Sequence, residues 1–538
     1  MQKILIVGGV AGGASAAARL RRLDEQAEII MFERGAHISF ANCGLPYYVG
    51  GEITDGNKLT LQTPESFHAQ FNVDVRVFNE VISIDKDKKF VTVKNHKTGE
   101  TYTEAYDKLI LSPGAEPIKP NIEGITSDKV FTLRNIPDTL KIEDYIKRTH
   151  PKSAAIIGGG FIGVEMAENL HAIGLKVSLI EMQDQVIAPL DYDMAWDVHR
   201  YMKRKGVNLI LKNGVKSIVD NGDTLTVNLS EGDIQADMLI MAIGVRPESD
   251  LASDAGLAVN ERRQIIVNNR MQTSDPDIFA LGDAVGPVPL AGPANKQGRI
   301  AADVICGLDS RYGGTQGSAI LKVFDMTIAS TGINEKTAIQ LGLDYDKSFT
   351  YSASHATYYP GAAHMSIKTV FEKKTGKILG AQIVGFAGVD KRCDVFATAI
   401  YAGMTAFDLA KLELCYAPPY SSAKDPVNMA GFVIENLLTD KVQNFHWHDV
   451  KDLPRDGSVT LLDVRTPMEY ASGTIDGFNN IPLNGLRSRL DELDKTKPVY
   501  VICQIGIRGY MAARILKQSG FDVYNLSGGY RLYHSIFA

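Results

Sequence analysis

The feature that most constrains this chain is a strand–glycine–helix unit near its second quarter. Ala154-Ala155-Ile156-Ile157 is a short apolar run, and Gly158-Gly159-Gly160-Phe161-Ile162-Gly163 follows it at once. This G-x-G-x-x-G pattern leads into a helix expected over Val164 to Ala172, and the next strand, Lys176 to Ile180, ends at Glu181. Such a unit forces a tight turn and aims backbone N–H groups and a helix N-terminus at a pyrophosphate. It also sets a carboxylate where ribose hydroxyls lie. Glu181 would accept the ribose hydroxyls of NAD and repel the extra phosphate of NADP. NADH is therefore expected, with NADPH admitted where a nearby Lys or Arg overrides that charge.

An earlier stretch repeats the pattern. Lys3-Ile4-Leu5-Ile6-Val7 runs into Gly8-Gly9-Val10-Ala11-Gly12-Gly13 and a small-residue helix opening, and Glu33 closes the apolar run Ile29-Ile30-Met31-Phe32. Val10 replaces the middle glycine, but the acidic residue falls at the offset a ribose-binding carboxylate needs. Two units imply two dinucleotides, and a protein holding two usually passes a hydride between them, so the second group is expected to be a flavin. The corner Leu281-Gly282-Asp283-Ala284 supports this, since Asp283 is placed to hydrogen-bond a ribityl hydroxyl; its plainer reading is a helix N-cap.

A third constraint is Ser39-Phe40-Ala41-Asn42-Cys43-Gly44-Leu45-Pro46. The five cysteines stand at 43, 306, 393, 415 and 503, so Cys43 has no partner in its own loop. A lone thiolate that attacks a disulfide forms a mixed disulfide that something else must resolve. Here the electrons must come from a cofactor. Cys306 and Cys393 read as core thiols. Scattered cysteines make no disulfide framework and suit a reducing cytoplasm. The net charge of -6 gives no reason to expect nucleic acid. No apolar run nears the roughly 18–20 residues of a membrane span, and the N-terminus reads straight into a strand.

Residues near 73–111 alternate apolar and polar and read as an antiparallel hairpin layer, before Leu109-Ile110-Leu111 returns as a buried strand. From about 320 to 436, Ile320 to Ile328 and Ile378 to Val384 read as strands and Asp390 to Ala402 as a helix. Two aromatic loops interrupt this region, His355-Ala356-Thr357-Tyr358-Tyr359-Pro360 and Cys415-Tyr416-Ala417-Pro418-Pro419-Tyr420. A phenol such as Tyr358 or Tyr416 is a reasonable acid for a leaving thiolate, though tyrosines also simply pack interfaces. Asp440–His448 reads as a polar linker. His446 and His448 lack further ligands, so no metal is expected. Beyond it, Val499-Tyr500-Val501-Ile502 feeds into Cys503-Gln504-Ile505-Gly506-Ile507-Arg508 and a helix. Backbone N–H groups and the Arg508 charge would stabilise a thiolate or persulfide there.

These motifs together resemble the two-dinucleotide disulfide reductases of the glutathione-reductase class over residues 1–440. The Ser-Phe-Ala-Asn-Cys-Gly-Leu-Pro stretch is similar to the single-cysteine branch holding coenzyme A-disulfide reductases and NADH oxidases or peroxidases. The Cys503 loop, Asp463-Val464-Arg465 and Leu526-Ser527-Gly528-Gly529-Tyr530 resemble a rhodanese domain, with Thr474 where a histidine is usual. The resemblance implies an α/β chain with two Rossmann-like dinucleotide-binding domains, an α+β dimerisation domain and a C-terminal rhodanese α/β domain. The boundaries expected are FAD binding over 1–150 and 271–319, NAD(P)H binding over 151–270, dimerisation over 320–440 and rhodanese over 446–538. It assigns Gly8, Gly9, Gly13, Glu33, Asn42, Asp283 and Ala294 to the FAD site, and Gly158, Gly160, Gly163, Glu181 and Gly244 to the NAD(P)H site.

By the same resemblance the chain is a cytoplasmic homodimer that reduces coenzyme A persulfide, polysulfide or coenzyme A disulfide. Cys43 is the redox thiol, Tyr358 and Tyr416 act across the dimer, and Cys503 with Arg508 carries sulfane sulfur. Coenzyme A would meet Arg19, Arg22, Ser39, Asn42, Gln62 and Thr63, although charge patterning alone favours a solvated basic face for the arginines. Two other readings stand beside this one. The first is an NADH oxidase or peroxidase cycling Cys43 as a sulfenic acid; the second is a sulfur-relay sulfurtransferase with a regulatory flavoprotein part.

Overall fold

The computed structural model describes residues 1–286 and 288–537, which form two compact units. The first joins Met1–Gln183 with Gly206–Thr315; the second joins Asp184–Lys205 with the chain from Gln316 onward.

The first unit repeats one architecture twice. A five-stranded parallel sheet orders the strands Ile278–Ala280, Lys108–Leu111, Lys3–Val7, Glu28–Glu33 and Asp74–Val77. A second parallel sheet orders Asn208–Ile210, Lys176–Ile180, Ser153–Ile157, Met238–Met241 and Val130–Phe131. The central strands are nearly continuous runs of Ile, Leu, Val and Ala because helices and a smaller sheet cover both faces. Each parallel sheet is accompanied by a three-stranded antiparallel sheet, Asn79–Asp85 to Thr101–Ala105 in one case and Val215–Asp220 to Asp233–Ala236 in the other. The hairpin layer expected over 73–111 is therefore shorter: Asp74–Val77 pairs in parallel with Glu28–Glu33 instead. Its alternation reflects an edge strand with one half-open face, which periodicity alone does not distinguish from a hairpin.

In the second unit, a five-stranded antiparallel sheet orders Ala319–Val323, Met326–Gly332, Ile378–Gly385, His364–Glu372 and Tyr345–Ala353. Residues 320–328, expected as one strand, are a hairpin turning at Phe324, which takes a positive φ. Helix Val389–Tyr401 covers the sheet with Phe396 and Cys393, and burial pushes the Cys393 thiol up to about 12. A parallel sheet follows, ordered Gln443–Phe445, Val523–Leu526, Val499–Ile502, Thr460–Asp463 and Asn479–Asn480. The supposed linker thus already contributes a strand at Gln443–Phe445.

The residues His446 to His448 are a joint rather than a boundary. Trp447 donates its Nε1–H to Asp193 (3.2 Å) on helix Tyr192–Arg204, and His448 lies 3.1 Å from the Lys347 ammonium. Lys368, fully buried, bonds both Asp193 oxygens at 2.9 Å, Glu335 at 2.7 Å and Asp191 at 3.0 Å. Further along, Phe349 donates its N–H to Ser527 (3.4 Å), and Arg531 stacks over the Tyr351 ring at 4.5 Å. The C-terminal sheet domain is therefore seated on the antiparallel sheet by polar and ring contacts, one of which, from Trp447, reaches the buried ionic cluster at Asp193.

Candidate active sites

Both glycine turns are built alike. Gly8 (φ +96°) and Gly158 (φ +109°) occupy backbone space that L side chains avoid. A Cβ on Gly13 would lie 1.9 Å from the Gly8 carbonyl, and one on Gly163 would lie 1.9 Å from the Gly158 carbonyl. The helices Ala11–Leu23 and Phe161–Ala172 consequently start hard against their turns, the latter three residues before its expected start at Val164. Each acid aligns with its own turn: Glu33 accepts from Gly9 N–H (3.1 Å), and Glu181 from Gly159 N–H (2.6 Å). A Cβ on Gly160 would meet nothing within 4 Å, so that turn opens onto free space. Val10 stands at the matching place in the first turn, where helix Ala291–Ile305 packs closely instead: a Cβ on Gly298 would lie 2.4 Å from Gly12 O. Ala294 is buried in that contact. Gly244, at φ +117°, receives Ile118 N–H on its carbonyl beside the antiparallel pair Ala115–Pro117 and Val245–Pro247.

Cys43 lies on the 3₁₀ turn Asn42–Gly44, exposed, just ahead of helix Leu45–Val49. Beside it the Asn42 amide lies 2.9 Å from Arg134 O and 3.1 Å from Arg134 Nη1. Arg134 in turn bonds Asp283 at 3.3 Å. Sequence reasoning missed Arg134, which belongs to no motif and is delivered by the short connection from strand Val130–Phe131 to helix Ile136–Thr149. It also missed Glu165, on the helix that packs against Leu45–Val49. Burial, reinforced by Glu168, pushes the Glu165 carboxyl up to about 7. Although Cys43 is exposed, its thiol is partly shielded from water and is raised too, first by that shielding and then by the charges of Glu165 and Asp283.

The basic patch expected on the first helix is smaller than its sequence suggests. Arg19 pairs with Asp303 at 2.7 Å, and Arg21 is buried, donating to five backbone carbonyls, including those of Ala27 and Asn72. Arg22 is exposed. Ser39 takes a positive φ and donates its N–H to Gly9 O, while Thr63 caps helix Pro64–Phe71 and Gln62 bonds Ser66 and Gln70.

In the second unit the two aromatic loops meet: Tyr358 and Tyr416 share a hydrogen bond of 3.0 Å between hydroxyls, and both rings are exposed. That contact, first, holds the Tyr358 phenol above its ordinary value. A cavity of about 360 Å³ beside the second loop is lined by His355, Lys391, Cys415 and Tyr420 among others.

Cys503 is fully buried at the mouth of helix Ile507–Gln518. Gly506 N–H points at its Sγ (3.1 Å), and further donors come from Ile505 and Gly509. Gly529 (φ +64°) lets the following turn close on the loop, because a Cβ there would lie 2.6 Å from Cys503 O. The electrostatics differ from the sequence expectation. Burial raises the thiol, against the N–H donors and the Arg508 charge, which lower it as expected; Arg508 is itself gripped by Glu469 in a two-pronged pair (2.6 and 2.7 Å). Arg465 is buried against Asp463, which also accepts from Thr474 Oγ1 at 2.9 Å.

Residues 2–298 match the pyridine nucleotide-disulphide oxidoreductase model, 318–426 match that family's dimerisation domain, and 446–535 match the rhodanese-like domain. The chain belongs to the pyridine nucleotide-disulphide oxidoreductases, as a homodimer-forming member carrying a rhodanese-like domain. Over its whole length it is similar to the reduced CoADR-RHD of Bacillus anthracis (53% identity, TM-score 0.98, 100% of this chain and 98% of that one). It is also similar to a NAD-dependent persulfide reductase from A. fulgidus (37%, TM-score 0.92, 99% and 100%). A coenzyme A disulfide reductase of Staphylococcus epidermidis is 37% identical over 80% of this chain and 99% of its own.

The family works with FAD and a pyridine nucleotide, and the residues fit both. Each glycine turn carries an aligned carboxylate, and the second opens onto free space at Gly160. No helix among the described residues is long and apolar enough to cross a membrane, and none of them form a cluster suited to a metal.

Proposed function

We propose that this chain uses NADH to reduce coenzyme A persulfide, polysulfide and coenzyme A disulfide, with Cys43 as its single redox thiol and Cys503 as a carrier of sulfane sulfur. The observation that carries the reading is the pairing of two unlike thiols on one chain. One is exposed and solitary on the unit built for two dinucleotides; the other is buried in a cradle of N–H donors. The names of the similar proteins favour the same substrates.

In this reading the Gly8–Gly13 turn with Glu33, Asn42 and Asp283 holds FAD, and the Gly158–Gly163 turn with Glu181 and Gly244 holds the nicotinamide nucleotide. Bound FAD supplies the two-electron step between NADH and sulfur. Cys43 attacks the substrate sulfur, keeps one half as a mixed disulfide and is restored as a thiolate when that bond is reduced. Acting across the dimer, the hydroxyl pair Tyr358–Tyr416 donates the proton that the leaving thiolate needs. Arg22 receives the 3′-phosphate of coenzyme A, with Ser39, Asn42, Gln62 and Thr63 along its arm. Arg19 would have to leave Asp303 to help. A reducing cytoplasm is the compartment that suits five free cysteines.

The test is a panel of NADH-oxidation rates with coenzyme A persulfide, coenzyme A disulfide, glutathione persulfide, peroxide and oxygen. Turnover fastest with the coenzyme A substrates supports the reading. Turnover fastest with oxygen or peroxide overturns it in favour of sulfenic-acid chemistry at Cys43, the direction a water-forming NADH oxidase similar at 28% identity would suggest.

A further inference from the structure

The Cys503 cradle carries information about its sulfur donor. We propose that Glu469 sets donor selectivity there, by cancelling the charge of Arg508, so that Cys503 is loaded from the persulfide of an alkyl thiol rather than from a dianionic sulfur donor such as thiosulfate. The inference rests on the assignment of Cys503 as the sulfur carrier.

Arg508 is the one cation in the loop Cys503–Arg508. Its guanidinium is held by both oxygens of Glu469, from Nη1 at 2.7 Å and from Nη2 at 2.6 Å. The same contact holds the Glu469 carboxyl down at about 2, so the pair stays ionised across the physiological range. Arg465, the next cation, is buried and matched to Asp463. A dianion approaching Sγ would therefore meet a carboxylate beside every one of these guanidiniums. The residues next to the pair are apolar and open to solvent: Met468 is 83% exposed and Ile507 52% exposed. Met511, 43% exposed, lies one helical turn beyond Ile507 on the same face. A thioalkyl arm finds dispersion contacts on such a rim, and an oxyanion finds none.

The transfer balances without an added oxidant. Cys503 Sγ attacks the outer sulfur of R–S–SH, the donor S–S bond breaks as the new one forms, and its electron pair leaves on RS⁻. The Cys503 thiol proton ends on that leaving thiolate, giving RSH and a Cys503 persulfide.

Glu469→Gln is the informative variant. Glu469 also closes a capping box with Thr466, accepting its backbone N–H at 2.9 Å, and glutamine preserves that role while losing the charge. The assay is mass-spectrometric: the rate at which full-length protein with Cys43→Ser gains one sulfur on Cys503, with N-acetylcysteamine persulfide or thiosulfate as donor. The protein with Glu469 intact should prefer the persulfide, and Glu469→Gln should raise the thiosulfate-to-persulfide ratio roughly tenfold, the order expected of one uncancelled charge near a dianion. Ile507→Lys adds a cation without touching the pair and should move the ratio the same way.

An unchanged ratio in both variants, or a thiosulfate rate equal to the persulfide rate with Glu469 in place, overturns the selectivity proposal alone. Failure of Cys503 to take up sulfur from either donor instead overturns the sulfur-carrier assignment beneath it.

Discussion

Replacing Lys368 by methionine tests the buried ionic cluster of the second unit, on which Trp447 of the C-terminal domain rests. The ammonium sits fully buried among Asp191, Asp193 and Glu335, all within 3.0 Å, with the Phe349 ring 5.3 Å away. Methionine fills similar volume, so the loss is mainly electrostatic. Removing one partner from a buried ionic cluster costs about 3–5 kcal/mol. At roughly 2–4 °C per kcal/mol for a body of this size, the melting transition of the second unit should fall by about 6–20 °C.

The pH dependence gives a second handle. Lys368 and Lys347 hold the Glu335 carboxyl at about 2 against burial, below its ordinary 4.5. In the native protein that contribution is complete above 4.5 and fades as pH drops toward 2. Lys368→Met lacks the larger part of that contribution from the start, so the two proteins converge as the native one loses it on acidification. Calorimetry near pH 7 and near pH 4 should show a gap that narrows at the lower value. A gap of the same size at both, or a loss under about 1 kcal/mol near pH 7, would refute the argument.

Other outcomes follow from the sites. Gly163→Ala places a Cβ 1.9 Å from Gly158 O and should lower kcat/KM for NADH roughly tenfold or more, with flavin content, read by absorbance, unchanged. Tyr358→Phe, which breaks the hydroxyl pair with Tyr416, should lower kcat with coenzyme A disulfide by roughly 10²-fold in steady-state assays. Glu165→Gln removes a negative charge that raises the Cys43 thiol, so the pH profile of Cys43 alkylation should move to lower pH; a move to higher pH contradicts the assignment.

The glycine turns and their acids were legible in sequence because steric rules fix them: Gly13 and Gly163 admit no side chain, and Glu33 and Glu181 end strands in register with their own turns. Family resemblance named Tyr358 and Tyr416 one by one, but not their contact, since 58 residues separate the two and neither loop has a periodic signal. Contacts made by tertiary placement escaped. Arg134 reaches Asp283 across 149 residues, and Asp193 reaches Trp447 across 254. Charge counting also does not reveal that a nearby carboxylate engages Arg19 and Arg508.

The central claim is that one sulfur atom, Cys43, receives the electrons of NADH. The most direct measurement is NADH oxidation with coenzyme A persulfide by Cys43→Ser protein that retains its full complement of flavin. The account predicts that turnover is abolished while NADH still bleaches the flavin band; persulfide reduction at an undiminished rate would contradict it.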